Sequence, residues 1–170
     1  MDSLSPAILT EPSAYLWWPS FAPVVEENAP TNVECKHAHL VLTVRPGTDE
    51  GERQAVLDEW YRNLLRENAA PLIAKWEAQL DVKVRRVFVQ RMKTKWGGCN
   101  PRRGTIRLNT ELAKKPRQCL EYLIVHELVH LLEPTHNARF VSLMDRFLPS
   151  WQFYRQVLNR LPLRHERWEY

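Results

Sequence analysis

The amino-acid sequence predicts an α+β fold in which a small, mostly antiparallel sheet packs against helices, and three observations support this class. Apolar and polar residues alternate along residues 33–45. Short apolar segments separated by glycine-containing and Asn-Pro turns occupy residues 82–109. Apolar residues recur at spacings of three and four along residues 50–80 and again after Pro116. We therefore expect strands in the first two regions and helices in the others.

Length and composition favour one compact domain. The chain has 170 residues, of which 44% are hydrophobic and 26% charged, enough for one real core. We expect this domain to span residues 32–170, after an arm formed by residues 1–31. The sequence contains neither a basic segment followed by an apolar secretion signal nor a run of eighteen apolar residues. We accordingly expect a cytoplasmic protein without a membrane segment.

The arm combines prolines, acidic residues and aromatic residues. Its five prolines predict little regular structure. Residues 1–35 hold five carboxylates and no lysine or arginine. The segment YLWWPSF, residues 15–21, is more aromatic than an ordinary disordered tail. We expect the arm to lie against the domain, and one hypothesis is that it restrains the functional site.

The elements of the first half follow from local patterns. The alternating residues 33–45 predict one strand, and the sequence RPGT after Val44 predicts the turn that ends it. Helical spacing begins near Glu50, is interrupted by Pro71, and resumes along residues 72–80. We expect a helical region with a break at the proline.

The second half contains strands and then helices. Residues 82–109 predict two or three strands joined by a hairpin. Pro116 suits the first turn of a helix that runs to about Glu133, where Pro134 stops it. An amphipathic helix follows in residues 137–148, and Ser150 caps another.

The predicted helix after Pro116 contains the motif HExxH. His126 and His130 lie one turn apart, separated by about 40° on a helical wheel, while leucines cover the opposite face. Two imidazoles at this spacing can each approach one zinc ion at about 2.0–2.1 Å. Glu127 lies beside the pair.

A catalytic zinc site needs a third protein ligand. Glu133 lies on the same stripe as the histidines, but three ligands along one helix face make a poor tetrahedron. His136 is the better candidate, because Pro134 ends the helix and lets the chain turn back. Glu133 then becomes either an acceptor for a ligand N–H or a surface carboxylate.

The motifs MKTKWGGCNPRRGTIRLN, VHELVH and THNARF occur in this order within residues 82–160 and resemble the YgjP-type metallopeptidase family, which is related to SprT- and WLM-type zincins. This resemblance implies one zinc ion per chain, bound by His126, His130 and His136, with Glu127 as the catalytic carboxylate. It also implies the zincin layout, in which a strand edge above the active-site helix pairs with an extended substrate.

The sequence GTIRLN is the candidate for that edge, because exposed backbone groups can add a peptide as one more strand. The alternative is an interior strand with no free edge. The proposed substrate-binding residues are Thr105, Ile106, Arg107, Leu108 and Asn109.

Three functions remain open. The first is a zinc peptidase acting on extended chains, in which Glu127 removes a proton from the attacking water. The second is a protease acting on nucleic-acid-bound proteins, because half of the 24 basic residues lie within residues 83–117. The third is a non-catalytic domain with structural zinc, which requires a fourth ligand such as Glu133 or a residue of the arm.

Overall fold

The computed structural model describes residues 24–27, 30–36 and 39–160 of the chain. The aromatic segment 15–21 lies outside the described residues, so its expected position against the domain stays a prediction.

The first sheet contains three strands, β1 (Val24–Glu27), β2 (Asn32–Lys36) and β3 (His39–Val44). The central strand β3 pairs in parallel with β1 and antiparallel with β2. The single strand predicted for residues 33–45 is therefore two strands of an antiparallel pair. Strand β1 belongs to the segment expected to lack regular structure, so the domain boundary predicted after residue 31 falls inside this sheet.

A long helix, α1 (Glu50–Leu80), follows the first sheet. Asp49 caps it by accepting a hydrogen bond from the backbone N–H of Glu52 at 2.8 Å. The break predicted at Pro71 is absent, since the helix continues through this residue. A proline inside a helix costs about 3 kcal/mol. Buried apolar residues lie on both sides of Pro71, and their packing offsets this cost.

The second sheet contains β4 (Arg86–Gln90), β5 (Gly97–Asn100) and β6 (Thr105–Asn109). Its order is β4-β6-β5, with β6 parallel to β4 and antiparallel to β5. Both sheets thus combine one parallel and one antiparallel pairing, so the single, mostly antiparallel sheet predicted from the sequence is instead two mixed sheets. The predicted substrate edge at GTIRLN is wrong, because β6 is the central strand and both of its sides are paired.

The side chains of β6 agree with this interior position. Ile106 and Leu108 are completely buried, Thr105 is partly buried, and Arg107 is exposed on the sheet surface. The backbone groups of β6 that were predicted to bind a substrate peptide instead pair with β4 and β5.

Asn109 has a structural role instead of contacting substrate. Its amide nitrogen donates to the carbonyl oxygens of Met92 and Lys95 at 2.9 and 2.7 Å. Its side-chain oxygen accepts from the backbone N–H of Glu111 at 3.2 Å. The buried side chain thereby fixes the loop between β4 and β5.

The remaining described elements are a 3₁₀ helix (Thr110–Lys114), α2 (Arg117–Leu132), α3 (Ala138–Phe147) and α4 (Trp151–Arg160). Helix α2 is central, since it packs against α1, β5, α3 and α4. Its bounds agree to within one residue with the helix predicted between the two prolines. The α+β class is confirmed. Among the described residues, no helix has the length and apolar character needed to cross a membrane.

Replacing Asn109 by Asp is expected to lower the free energy of unfolding by about 2–4 kcal/mol, because an acceptor would face two buried carbonyl oxygens that have lost their donors. Urea denaturation measures this change. The control Asn63→Asp should not destabilise the protein, since the exposed Asn63 oxygen already accepts from Arg66. Equal stability of Asn109→Asp and the wild type would contradict the structural role.

Candidate metal centre

Three imidazoles converge at the C-terminal end of α2. The Nε2 atoms of His126 and His130 are 3.2 Å apart, and that of His136 lies 3.0 Å from the first and 3.1 Å from the second. His126 is half-buried, His130 buried and His136 exposed. The three nitrogens thus form a nearly equilateral triangle, and the His136 side chain at one corner is exposed to solvent.

Two elements of local structure bring these nitrogens together. Helix α2 holds His126 and His130 on one face. After the helix, the carboxylate of Glu133 accepts from the backbone N–H and the hydroxyl of Thr135 at 3.4 and 3.0 Å. Asn137 donates to the same hydroxyl at 3.1 Å. This chain of hydrogen bonds fixes the turn that returns His136 toward the helix.

Asn137 also starts the next helix. Its side-chain oxygen accepts from the backbone N–H of Phe140 at 3.0 Å and caps α3. The third histidine therefore lies between the end of one helix and the cap of another, which leaves its backbone little freedom.

The backbone of Glu133 orients one imidazole. Nδ1 of His130 lies 3.1 Å from the carbonyl oxygen of Glu133 and donates to it. This bond leaves Nε2 of His130 without a proton, in the form that binds a metal. The proposed acceptor role at Glu133 therefore belongs to its carbonyl oxygen, while its carboxylate bonds Thr135. Nδ1 of His126 is buried with no hydrogen-bond partner among the described residues.

The triangle fits a tetrahedral metal site. Ligand atoms about 2.0–2.1 Å from zinc in a tetrahedral shell lie about 3.3–3.4 Å apart, close to the observed 3.0–3.2 Å. Burial, followed by the charges of His130 and His136, lowers the pKa of His126 to about 3. Burial also lowers the pKa of His130. Three imidazole nitrogens that converge in this way are suited to bind a transition-metal cation.

Aromatic side chains enclose the base of the group. The ring centroid of Phe140, a residue that is 1% exposed, lies 4.7–4.9 Å from those of all three imidazoles. Tyr122, one turn before His126, contacts that imidazole edge-on at 5.8 Å. The amphipathic pattern of residues 137–148 places Phe140 on the core face of its helix and does not indicate this contact with the histidines. Its position four residues after the third histidine was the available signal.

Glu127 lies on α2 beside the histidines, and its carboxylate faces β5. A Cβ atom added to Gly97 would lie 2.7 Å from the Glu127 Oε1 atom and 3.0 Å from Leu123. Only glycine therefore leaves space for this carboxylate. Burial raises the pKa of Glu127 to about 8, while the positive charge of Lys95 acts in the opposite direction. A cation at the histidines would also favour the ionised form.

Cys99 lies two residues after Gly97 on β5 and is not part of the histidine group. Burial, together with the negative charge of Glu127, raises the pKa of this thiol to about 11. The protonated sulfur packs beside the core as a small apolar group.

The three histidines form a candidate metal site in an α+β fold. The chain belongs to the family described as YgjP-like, metallopeptidase domain, whose model matches residues 8–161. This match includes residues 8–81, which precede the motifs that carry the resemblance in the sequence.

The solved structures that are similar to the chain include two metallopeptidase zymogens. The metallopeptidase zymogen abylysin of Pyrococcus abyssi shares 19% identity with a TM-score of 0.50, over 55% of this chain and 94% of that one. The metallopeptidase zymogen jannalysin of Methanocaldococcus jannaschii shares 17% identity with a TM-score of 0.49, over 54% of this chain and 94% of that one. No curated protein matches the chain.

Replacing Gly97 by Ala is expected to lower the free energy of unfolding by about 1–3 kcal/mol, because the new methyl group overlaps Glu127 and Leu123. The matched control is Gly98→Ala on the same strand, where an added Cβ has no atom within 4 Å. This control should differ from the wild type by no more than about 0.5 kcal/mol. Thermal and urea denaturation compare the two variants, and equal losses would contradict the specific contact at Gly97.

Proposed function

We propose that the protein is a zinc-dependent peptidase that hydrolyses peptide bonds in extended chains. In this proposal His126, His130 and His136 hold one zinc ion, and Glu127 is the general base. The main support is the convergence of three Nε2 atoms within 3.2 Å beside a buried carboxylate. A zinc ion in such a site supplies a Lewis acid that activates water and polarises a carbonyl group.

Proton transfer is assigned to Glu127, and neighbouring residues position its carboxylate. Glu127 is only 4% exposed, and its carboxylate does not belong to the group of ligand atoms formed by the histidines. It is therefore free to accept a proton from water at a carboxylate oxygen and to donate it to the leaving amine. Gly97 gives this carboxylate its space, and Leu123 packs beside it.

Strand β5 is the proposed edge for substrate pairing. It packs against α2, and no strand of the described residues pairs with its outer side. An extended peptide could add to this side through backbone hydrogen bonds, which would place it near Glu127. Gly97 and Gly98 have no side chains, so the backbone of a substrate could approach this edge closely.

The alternative of a closed structural zinc site has less support. In the described part of the chain, no fourth His, Cys, Asp or Glu atom joins the three histidines. Glu133, one of the candidates for a fourth ligand, has its carboxylate bonded to Thr135. The exposure of His136 is consistent with access of water and substrate to a fourth coordination position.

Replacing His136 by Ala should weaken zinc binding by more than the roughly 10- to 100-fold caused by loss of an outer-shell partner, because one of three direct ligands is removed. Competition with a chromophoric chelator measures the affinity, and elemental analysis measures the zinc content. His165→Ala, a histidine outside the motif, is the control. Unchanged zinc affinity in His136→Ala would remove this residue from the ligand set.

Replacing Glu127 by Gln should reduce kcat for an unfolded protein substrate such as casein by about 10²–10⁴-fold, because the amide cannot accept the proton. Zinc content should stay at the wild-type level. The measurement combines a proteolysis assay with elemental analysis of the same sample. Full activity of the zinc-loaded variant would disprove the role of Glu127.

A further inference from the structure

The outer face of the second sheet, opposite α2, carries an aromatic ring among arginines. The strand register places Phe88, Arg107 and Gly98 side by side across the three strands. Gly97 faces Glu127 on α2, so its neighbour Gly98 faces the other side, where an added Cβ would meet no atom within 4 Å. The face beside Arg107 is therefore flat and open.

Two guanidinium groups flank the ring. The Cζ atoms of Arg86 and Arg107 lie 5.9 and 5.7 Å from the ring centroid of Phe88, within the range of cation–π contacts. Both arginines are exposed, and Phe88 is partly exposed. Planar cations and an aromatic ring together provide surfaces on which a flat, electron-rich ligand can stack.

Positive charge continues beyond the sheet. Arg102 and Arg103 are exposed in the turn that joins β5 and β6. Within the described ranges, no carboxylate lies within 4.0 Å of any of these four arginines. Among the described residues no acidic side chain neutralises these arginines, so this face can attract a polyanion.

We infer that this face binds single-stranded nucleic acid. The arginines would contact phosphates, while Phe88 and the guanidinium planes would stack on unpaired bases. Three strands span about 10 Å at the usual strand spacing, which is wide enough for two or three bases. An acidic peptide would satisfy the charges but not the aromatic surface. This site lies on the opposite side of the sheet from Glu127 and does not depend on the peptidase proposal.

The test is fluorescence anisotropy with the full chain and a labelled oligo(dT) of about 16 nucleotides, the upper end of known site sizes. Phe88→Leu should weaken binding by about 5- to 150-fold, since one stacked base is lost. An abasic oligonucleotide of the same length should bind the wild type and Phe88→Leu equally. An equal loss for both probes would show a general structural effect and overturn the stacking role.

The charged contacts have a separate readout. The double variant Arg86→Ala/Arg107→Ala should reduce the slope of log affinity against log salt by about 1.4, which corresponds to about 0.7 per phosphate contact on a single strand. Arg146→Ala is the matched control, because Arg146 also lies over an aromatic ring, that of Phe147 at 5.2 Å, on a different surface. An identical change in slope for this control would overturn the site.

Two further results would overturn the proposal. The first is absence of oligo(dT) binding by the wild type at low salt. The second is equally tight binding of a labelled polyglutamate, which would assign the face to acidic proteins. Circular dichroism of each variant verifies that the sheet is intact.

Discussion

The convergence of three imidazole nitrogens within 3.2 Å is the constraint on which the site depends. Lone pairs that face one another at this distance are unfavourable unless a cation lies between them, so the surrounding structure has to hold them there. Helix α2 fixes two of them because it is packed on several sides. The hydrogen bonds of Thr135 fix the position of the third imidazole, and the ring of Phe140 packs against all three imidazoles. Rigid support of this kind is what a metal site requires to select one coordination geometry.

The second sheet connects this site to the proposed substrate position. Because β6 lies in the centre, the short strand β5 becomes the edge that packs on α2. Its two glycines face opposite sides of the sheet. Gly97 leaves space for the Glu127 carboxylate on the side of α2, and Gly98 leaves the opposite side flat. Asn109 then fixes the loop that leads into β5. A strand predicted to bind substrate therefore acts as the support for the strand beside it.

The two sides of this sheet differ in chemistry. The inner side faces α2 and its buried Glu127 carboxylate, and it carries the neutral thiol of Cys99. Burial is the main cause of the raised pKa of both groups. The outer side carries exposed arginines around Phe88. Separation by one layer of strands would allow the chain to hold a polyanion without bringing it to the histidines. Part of the positive charge concentrated in residues 83–117 thus lies on one face of the second sheet.

The sequence by itself determined the α+β class, the central helix between two prolines and the metallopeptidase family. It also predicted the histidine group, since the spacing of His126 and His130 fixes their distance within one helix and Pro134 explains the return of His136. Only the tertiary structure decided the order of the strands, the continuity of α1 through Pro71 and the contacts of Gly97 and Phe140. Helix geometry depends on neighbouring residues, whereas strand order and side-chain packing depend on segments far apart in the chain. Local patterns specify the first, and the balance of pairing and burial over the whole domain specifies the second.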